Sequence, residues 1–281
     1  MSLEAAIQRA KGKRVVAEYF DAESAYWNTL YEGNDVMAVI YQERRWIALQ
    51  SFCQLSLPKE SRILEVGCGA GLLTADLARR GYVIEALDRV KSMVDLTRQN
   101  ALKSGVEDRI HANIGDVYQL PFRDRTFKCL IALGVIPWVV DINRAMKELS
   151  RVLVPGGYAI ITADNRYRLN HIVDPAHMPV LAGVKDSLKR ALEKFHLRKP
   201  SKEPDVYRYS FKEFNQLLAS VGLARINHHM VGFGPFSFFR YELFPGPLGV
   251  RLHHRLQRYS DRGLFLLRST GSQILVTAAK S

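Results

Sequence analysis

The feature that most constrains this chain is a glycine-rich junction between an apolar segment and a helical one. The segment ILEVGCGAGLL places Gly67, Gly69 and Gly71 two residues apart, directly after the apolar run at 62–66. Glycine adopts backbone angles that other residues avoid, and it lets a ligand approach the main chain closely. A helix that begins there presents free N–H groups and the positive end of its dipole. The junction therefore predicts a ligand-binding turn between a strand and a helix.

The spacing of these glycines narrows the class of ligand. A dinucleotide-binding turn has the pattern G-x-G-x-x-G, which would need a third glycine at position 72, where this chain has Leu72. A P-loop needs Gly-Lys-Ser or Gly-Lys-Thr, and the sequence contains neither. The observed G-x-G-x-G spacing favours a nucleoside without a pyrophosphate.

Strand and helix signals alternate around this junction. Predicted strands at 62–66, 82–88, 109–116, 127–135 and 158–164 alternate with predicted helices at 72–80, 92–105 and 142–153. This order predicts an α/β fold with a doubly wound, mostly parallel sheet that is covered by helices on both faces. Two later predicted strands, at 224–231 and 273–280, bring the sheet to seven strands and suggest an antiparallel C-terminal edge.

Capping residues predict where three of the helices begin. Asn34 or Asp35 precedes an apolar-periodic segment that runs toward residue 53, and Ser92 precedes the helix at 92–105. Ser210 and Glu213 form the S-x-x-E capping box ahead of a further helix.

Positive charge is concentrated in the second part of the chain. Residues 1–165 hold 21 Lys+Arg and 20 Asp+Glu, a net charge of +1, whereas residues 166–281 hold 19 and 8, a net charge of +11. This asymmetry bears on partners and not on fold. Three cysteines without paired spacing fit a reducing compartment, and we expect no metal site. The opening segment lacks a secretory signal, so we expect a cytoplasmic protein that at most lies against a membrane.

One segment carries a family resemblance. LEVGCGAGLLTADLARRGYVIEALD resembles motif I and the acidic strand end of class I S-adenosylmethionine-dependent methyltransferases, within the small-molecule group that includes the UbiE-like enzymes. The likeness extends from about residue 62 to residue 164. It combines an acidic Glu65 ahead of the glycines, Asp88 at the end of the second strand, Gly115-Asp116-Val117 after the third, and LxPGG before the fifth.

The resemblance implies S-adenosylmethionine as the cofactor and assigns residues to its parts. The three glycines would line the methionine, Asp88 would accept both ribose hydroxyls, and Asp116 would meet the adenine amine. Met93 and Val117 would pack on the adenine ring, and backbone near Leu133 and Gly134 would hold the amino-acid end. The expected cofactor-binding set also includes the neighbouring positions Glu65, Cys68 and Arg89.

The resemblance also suggests four parts of the chain. These are an N-terminal helical lid (1–57), the cofactor-binding core (58–165), a cap insertion with a basic helix (166–205), and a C-terminal completion of the sheet with a basic aromatic insertion (206–281). The first part is similar to the lid of lipid-quinone and magnesium-protoporphyrin methyltransferases, although an ordinary packing helix fits its aromatic residues equally well. Candidate acceptor contacts are Tyr19, Tyr26, Trp27, Trp138, Asn165 and Tyr167.

The acceptor stays open at this stage. We expect a small or lipid-linked molecule that is methylated on a hydroxyl oxygen, with His171 or His228 as a candidate general base. His177 and His229 are weaker candidates for the same role. The aromatic and basic run at 231–259 suits contact with an anionic membrane, or the packing of its phenylalanines against the sheet.

Two further functions remain as alternatives. An RNA or DNA methyltransferase would use the basic second part of the chain, but the Asn/Asp-Pro-Pro-aromatic signature of amino-methylating DNA enzymes is absent after the fourth strand. A protein that binds S-adenosylmethionine without catalysis would keep the glycine turn and Asp88. The oligomeric state is left undecided.

Overall fold

The structure is a computed structural model that describes residues 15–174, 206–238, 241–244 and 246–281. Most of the expected cap insertion, including its basic helix and His177, lies outside the described residues. Within them, none of the helices combines the length and the apolar composition that crossing a membrane requires.

An eight-stranded sheet organises the fold. Seven strands follow the order β3-β2-β1-β4-β5-β10-β7, the two-residue strand β6 pairs with β5, and β8 and β9 form a separate hairpin. The strands are β1 (Arg62–Val66), β2 (Val83–Asp88), β3 (Ile110–Ile114), β4 (Phe127–Ala132), β5 (Leu153–Asn165), β6 (Arg208–Tyr209), β7 (Leu223–Val231), β8 (Ser237–Phe238), β9 (Tyr241–Glu242) and β10 (Gln273–Lys280).

The strand directions confirm a mostly parallel sheet with antiparallel pairing at one side. Strands β1 to β5 pair in parallel, while β10 runs antiparallel between β5 and β7. The reversed strand is therefore second from the edge, and β7 is the edge strand.

Helices cover both faces of this sheet. The α-helices are α1 (15–22), α2 (Ser24–Thr29), α3 (Val36–Gln54), α4 (Leu72–Ala78), α5 (Lys91–Lys103), α6 (Ile142–Val152), α7 (Leu169–Val173), α8 (Phe211–Ala219) and α9 (Gly246–Asp261). Short 3-10 helices lie at Leu30–Glu32, Glu107–Arg109, Ile136–Trp138 and Leu267–Ser269.

Alternating side chains of the strands divide the core into two layers. Leu64 and Leu130 pack toward α6 and α8, in a cluster that includes Phe214. Their neighbours Ile63 and Ile131 point the other way, toward α3 and α4. All of these side chains are buried, so the period of two along each strand gives each face its own apolar layer.

Two of the predicted caps are confirmed and one is wrong. Asp35 accepts a hydrogen bond from Ala38 N at 3.0 Å at the start of α3, and Ser210 with Glu213 forms the complete capping box of α8. Ser92 does not cap α5, because the helix already begins at Lys91 and Ser92 lies inside its first turn. The carboxylate of Asp88 provides the local restraint instead, since it accepts a hydrogen bond from Val90 N at 2.9 Å.

Candidate cofactor site

A cavity of about 260 Å³ lies at the carboxyl ends of the parallel strands. In open α/β sheets this edge is where ligands bind. The turns after β1, β2, β3 and β4 line the cavity, together with Asp164 at the end of β5 and Gln273 at the start of the antiparallel β10. Residues of α1, α2 and α3 close it from above.

The glycine turn lies at the floor of this cavity. Gly67, Gly69 and Gly71 all have positive φ angles, of 70°, 55° and 74°. A Cβ atom on Gly67 would come within 2.4 Å of Val135 Cγ2, whereas a Cβ on Gly69 would meet no atom within 4 Å and would enter the open space. Gly67 and Gly69 line the cavity, as the sequence predicted.

Gly71 lies at a contact between two helices. It is absent from the cavity lining, and a Cβ added there would lie 2.9 Å from Cα of Thr97 and 2.6 Å from its Cγ2. This glycine lets the start of α4 pack directly against α5. This contact gives Gly71 a role in helix packing, and its predicted contact with the ligand stays a prediction.

Asp88 ties the end of β2 to the glycine turn. Its Oδ2 accepts a hydrogen bond from Gly69 N at 2.9 Å, and its Oδ1 accepts one from Val90 N at 2.9 Å. Burial raises the pKa of this carboxyl, while the backbone hydrogen bonds oppose that shift. An ionised carboxylate has about four acceptor positions, so the two that remain suit a pair of neighbouring hydroxyls.

Glu65 is a buried acid on the cavity wall. Its side chain is only 3% exposed, and Oε2 accepts a hydrogen bond from the hydroxyl of Thr74. Burial raises its pKa to about 8. The carboxyl is therefore largely protonated near neutral pH, and a cation placed beside it would favour the ionised form.

The turn after β3 forms the far end of the cavity, where the adenine was expected. Asp116, Val117 and Met93 all line it, and Met93 is 2% exposed. Asp116 also supports its own turn, because its Oδ1 accepts a hydrogen bond from Tyr118 N at 3.0 Å. Arg89 lines the same region and lies 3.5 Å from Asp116 Oδ2.

Cys68 lines the cavity, but its buried surroundings do not favour a reactive thiol. Its side chain is buried, and Sγ lies 3.4 Å from the hydroxyl of Thr97. Burial raises the pKa of this thiol well above its usual range. Since the thiolate is the nucleophilic form, Cys68 contributes to the cavity wall and not to chemistry.

The turn after β4 brings a buried arginine into the site. Leu133 and Gly134 line the cavity as predicted, and Gly134 N donates to Thr162 Oγ1 at 2.7 Å. Facing Gly134 is Arg44 of α3, which is 6% exposed. Within the described part of the chain, no carboxylate lies within 4.0 Å of its guanidinium, and its Nε is buried without a hydrogen-bond partner.

Neutral groups hold Arg44 in place. Its guanidinium donates to the hydroxyl of Tyr31 at 3.1 Å and to Gln273 Oε1 at 3.4 Å, and it lies 4.3 Å from the ring centroid of Tyr41. A buried cation with an unused N–H group suits an anionic ligand group. Sequence reasoning missed this residue, although an arginine within the apolar pattern of α3 was the available signal.

Aromatic side chains form the roof. Trp27 and Trp138 line the cavity, and the indole Nε1 of Trp27 is a buried donor without a hydrogen-bond partner among the described residues. Tyr19 does not line the cavity but stacks on Trp138, with ring centroids 5.8 Å apart. Tyr26 is 47% exposed and packs edge-on against Trp27. Both tyrosines therefore support the roof from outside.

The remaining predicted residues do not line the cavity. The side-chain nitrogen of Asn165 donates to the carbonyls of Ser269 and Gly271, and Tyr167 is 55% exposed. His171 lies on α7. His228 lies on β7 against the ring of Phe211, at 4.5 Å between centroids. The geometry thus gives Asn165 a structural role and leaves both histidines away from the site.

Part of this chain is similar to known methyltransferases. Residues 64–161 match a family described as a methyltransferase domain. The chain is 32% identical over 150 residues to the ubiquinone/menaquinone biosynthesis C-methyltransferase UbiE of Vibrio cholerae, covering 52% of this chain and 55% of that protein. It is 26% identical over 147 residues to the sterol 4-C-methyltransferase strm-1 of Caenorhabditis elegans, covering 52% and 43%. The chain thus spans about half the length, or less, of the curated relatives that it matches first.

The fold has counterparts among solved structures. The magnesium protoporphyrin IX methyltransferase of Synechocystis superposes with a TM-score of 0.63 at 14% identity, covering 96% of this chain and all of that one. Such a likeness concerns the fold. The glycine turn and Asp88 both lie within the segment that matches the methyltransferase domain.

Proposed function

We propose that this protein transfers the methyl group of S-adenosylmethionine to a hydroxyl oxygen of a small or lipid-linked acceptor. The observation that carries the proposal is one cavity in which the Gly67–Gly69 turn and the Asp88 carboxylate meet two buried donors, on Arg44 and Trp27, that have no hydrogen-bond partner among the described residues. A nucleoside that also carries a carboxylate and a cationic centre matches these groups.

The residues present fit each part of this cofactor. Asp88 would hold the ribose hydroxyls, Asp116 the adenine amine, and the guanidinium of Arg44 the carboxylate of the amino-acid end. Glu65 would face the cationic end of the molecule. Its raised pKa supports this assignment, because a buried acid that lies beside a bound cation returns to its ionised form.

The cofactor supplies a methyl group that is already activated by the positively charged sulfur. The chain's contribution is to orient the acceptor in line with that group and to exclude water. Orientation of this kind lowers a barrier by roughly 7–11 kcal/mol in favourable cases. Trp27 and Trp138 would provide the apolar roof, and the position of Trp27 over the cavity supports the assignment of residues 1–57 as a lid.

One carboxylate of the cavity lining is left for acid–base chemistry on the acceptor. Among the described residues, four carboxyl groups line the cavity, and three of them, Glu65, Asp88 and Asp116, are assigned to the cofactor. The fourth, Asp164, lies at the end of β5, 3.2 Å from the guanidinium of Arg168. We assign it as the group that receives the hydroxyl proton as the oxygen–carbon bond forms and the sulfur–carbon bond breaks.

Binding and turnover test this proposal separately. Calorimetry should detect binding of both S-adenosylmethionine and S-adenosylhomocysteine, and a methyl-labelled cofactor with fractionated extract should give a labelled product that is a methyl ether. Asp164→Asn should reduce turnover while leaving the affinity for S-adenosylhomocysteine unchanged. Absence of binding would overturn the proposal. Binding without transfer to any fraction would identify a non-catalytic binding protein, and a carbon-methylated product would refute the assignment to oxygen.

A further inference from the structure

Three consecutive apolar side chains project into solvent beyond α9. Leu264, Phe265 and Leu266 are 53%, 71% and 70% exposed, and we call this segment the apolar tip. Leu267, directly after them, is buried and anchors the segment. Large exposed apolar groups at adjacent positions mark a contact surface, because folding alone gains nothing from them.

A row of arginines leads to this tip along α9. Arg251, Arg255, Arg258 and Arg262 follow one another at intervals of three or four residues, so they share one face of the helix, and all are exposed. We call them the arginine stripe. Within the described residues, none of their side chains has a carboxylate within 4.0 Å. With Arg268 and the single Asp261, the segment 246–271 has five positive charges and one negative, a net charge of +4.

The opposite face of α9 is fixed to the protein. His253 is fully buried, and its Nε2 lies 2.8 Å from Glu43 Oε2 of α3. Its Nδ1 accepts a hydrogen bond from Phe233 N at 3.1 Å, so the proton of the neutral ring is on Nε2. The same tautomer argues against a metal ion between Glu43, His253 and His254, since Nε2 has no lone pair to offer. The buried face fixes α9 to the protein, and the arginine stripe on the opposite face therefore stays exposed to solvent.

The tip lies at the edge of the sheet that carries the cavity. The segment after it is bound to the end of β5, because the side-chain nitrogen of Asn165 donates to the carbonyls of Ser269 and Gly271 at 2.8 Å each. On either side of that connection, Asp164 and Gln273 line the cavity. The tip is thus connected through a short segment to the end of the cavity that Asp164 and Gln273 line.

The expected contact residues at 231–259 are only partly exposed. Phe233 is 1% exposed and belongs to the core, while Phe238 is 50% exposed. Among the described residues, the two most exposed large apolar side chains, Phe265 and Leu266, lie just beyond that run, in the apolar tip. The sequence analysis did not identify this segment. A short, unpatterned apolar segment gives no periodic signal.

We propose that the apolar tip and the arginine stripe form a docking surface for an anionic lipid bilayer, which deepens the proposed function by placing the acceptor at a membrane. Arginines gather at negatively charged headgroups, while the leucines and the phenylalanine enter the acyl boundary. Nucleic acid fits less well, because a phosphate backbone offers nothing to Leu264 and Leu266.

Vesicle flotation of the full chain, without cofactor, tests the surface. Vesicles of phosphatidylcholine with phosphatidylglycerol should bind the protein, phosphatidylcholine alone should bind it much less, and salt should weaken the interaction. Arg251→Glu/Arg255→Glu should reduce the partition at least roughly thirtyfold, because each lost arginine accounts for about fivefold and each new carboxylate adds repulsion. Phe265→Ser/Leu266→Ser should reduce it by more than roughly tenfold.

Matched variants control for charge and for exposed apolar area. Arg123→Glu/Lys147→Glu makes the same change in net charge elsewhere, and Leu102→Ser/Ile114→Ser removes apolar side chains that are 66% and 58% exposed. Both should float as the wild type does. Equal losses in these controls, or no binding to anionic vesicles, would overturn the proposal. The proposal would also be overturned if the protein bound labelled RNA, or self-associated in sedimentation, instead of binding vesicles.

Affinity for S-adenosylhomocysteine separates the two proposals. It should be the same in all four variants, which would show that the fold and the cofactor site are intact. Loss of flotation with that affinity retained is the expected result. A protein that floats but binds no cofactor would refute the proposed function and leave the docking surface standing.

Discussion

The carboxylate of Asp88 accepts a hydrogen bond from the backbone N–H of Gly69 across 2.9 Å. The group expected to hold the ribose and the turn expected to hold the methionine are thus joined before any ligand arrives. Rigid, preformed donors and acceptors lose little freedom on binding, which favours affinity.

Asp88→Asn should weaken the binding of S-adenosylhomocysteine by at least roughly tenfold, because a hydrogen bond to a charged group contributes about 1.5–3 kcal/mol. Calorimetry measures this. Asp108→Asn removes an exposed carboxylate away from the cavity and should bind as the wild type does. Equal affinities for Asp88→Asn and the wild type would contradict the assignment.

Two glycine substitutions should separate ligand contact from helix packing. Gly69→Ala places a methyl group in open space and should cost about 1–2 kcal/mol of unfolding free energy for its left-handed backbone, while weakening ligand binding. Gly71→Ala also overlaps Thr97 and should cost roughly 2–5 kcal/mol. Urea unfolding and calorimetry on both variants check this. If Gly71→Ala instead kept its stability and lost affinity, Gly71 would be a ligand residue after all.

Glu65 should make stability depend on pH. Its pKa is raised from 4.5 to about 8, so the folded state keeps a proton that the unfolded chain releases. The resulting stabilisation is fully present below about pH 4.5 and is lost as the pH rises through about 8. Urea unfolding of the wild type should therefore show that the unfolding free energy falls by at least about 2 kcal/mol in total from about pH 5 through 7 to 8. The Glu65→Gln variant should not show this fall. Parallel pH profiles for the two proteins would disprove the shift.

Arg44→Met should weaken the binding only of ligands that carry the amino-acid end of the cofactor. The affinity for S-adenosylhomocysteine should fall roughly 10- to 100-fold, because a charged hydrogen-bonded pair is lost. Methylthioadenosine, which lacks that end, serves as a control ligand and should bind the variant and the wild type equally. A similar loss with both ligands would mean that Arg44 supports the cavity as a whole instead.

Much of the fold was predictable because its signals are local. β1 and β10 have the predicted bounds, and the Ser210–Glu213 box is present, since alternating apolar residues and caps act over a few positions. The predicted start of α5 was wrong because a serine near a helix start resembles a cap whether or not the backbone turns there. The carboxylate that restrains that turn, Asp88, is identified only by the geometry.

The site was predictable where it follows strand ends and unpredictable where it depends on distant packing. Asp88 and Asp116 line the cavity because each follows a strand of the parallel sheet. Arg44 enters it from a helix that precedes the sheet, and Gln273 enters from a strand that comes last and runs in reverse. No sequence spacing links residues 44 and 273, so their hydrogen bond could not be foreseen.

The position of β10 has a consequence for biosynthesis. Strand β10 lies between β5 and β7, yet the ribosome makes it after both of them. Until residues 273–280 emerge, the two flanking strands each expose a row of unpaired backbone groups. Unpaired strands of this kind are sites of intermolecular pairing. A nascent chain stalled before residue 273 would therefore depend on chaperones, and translation past that residue is the event that closes the sheet.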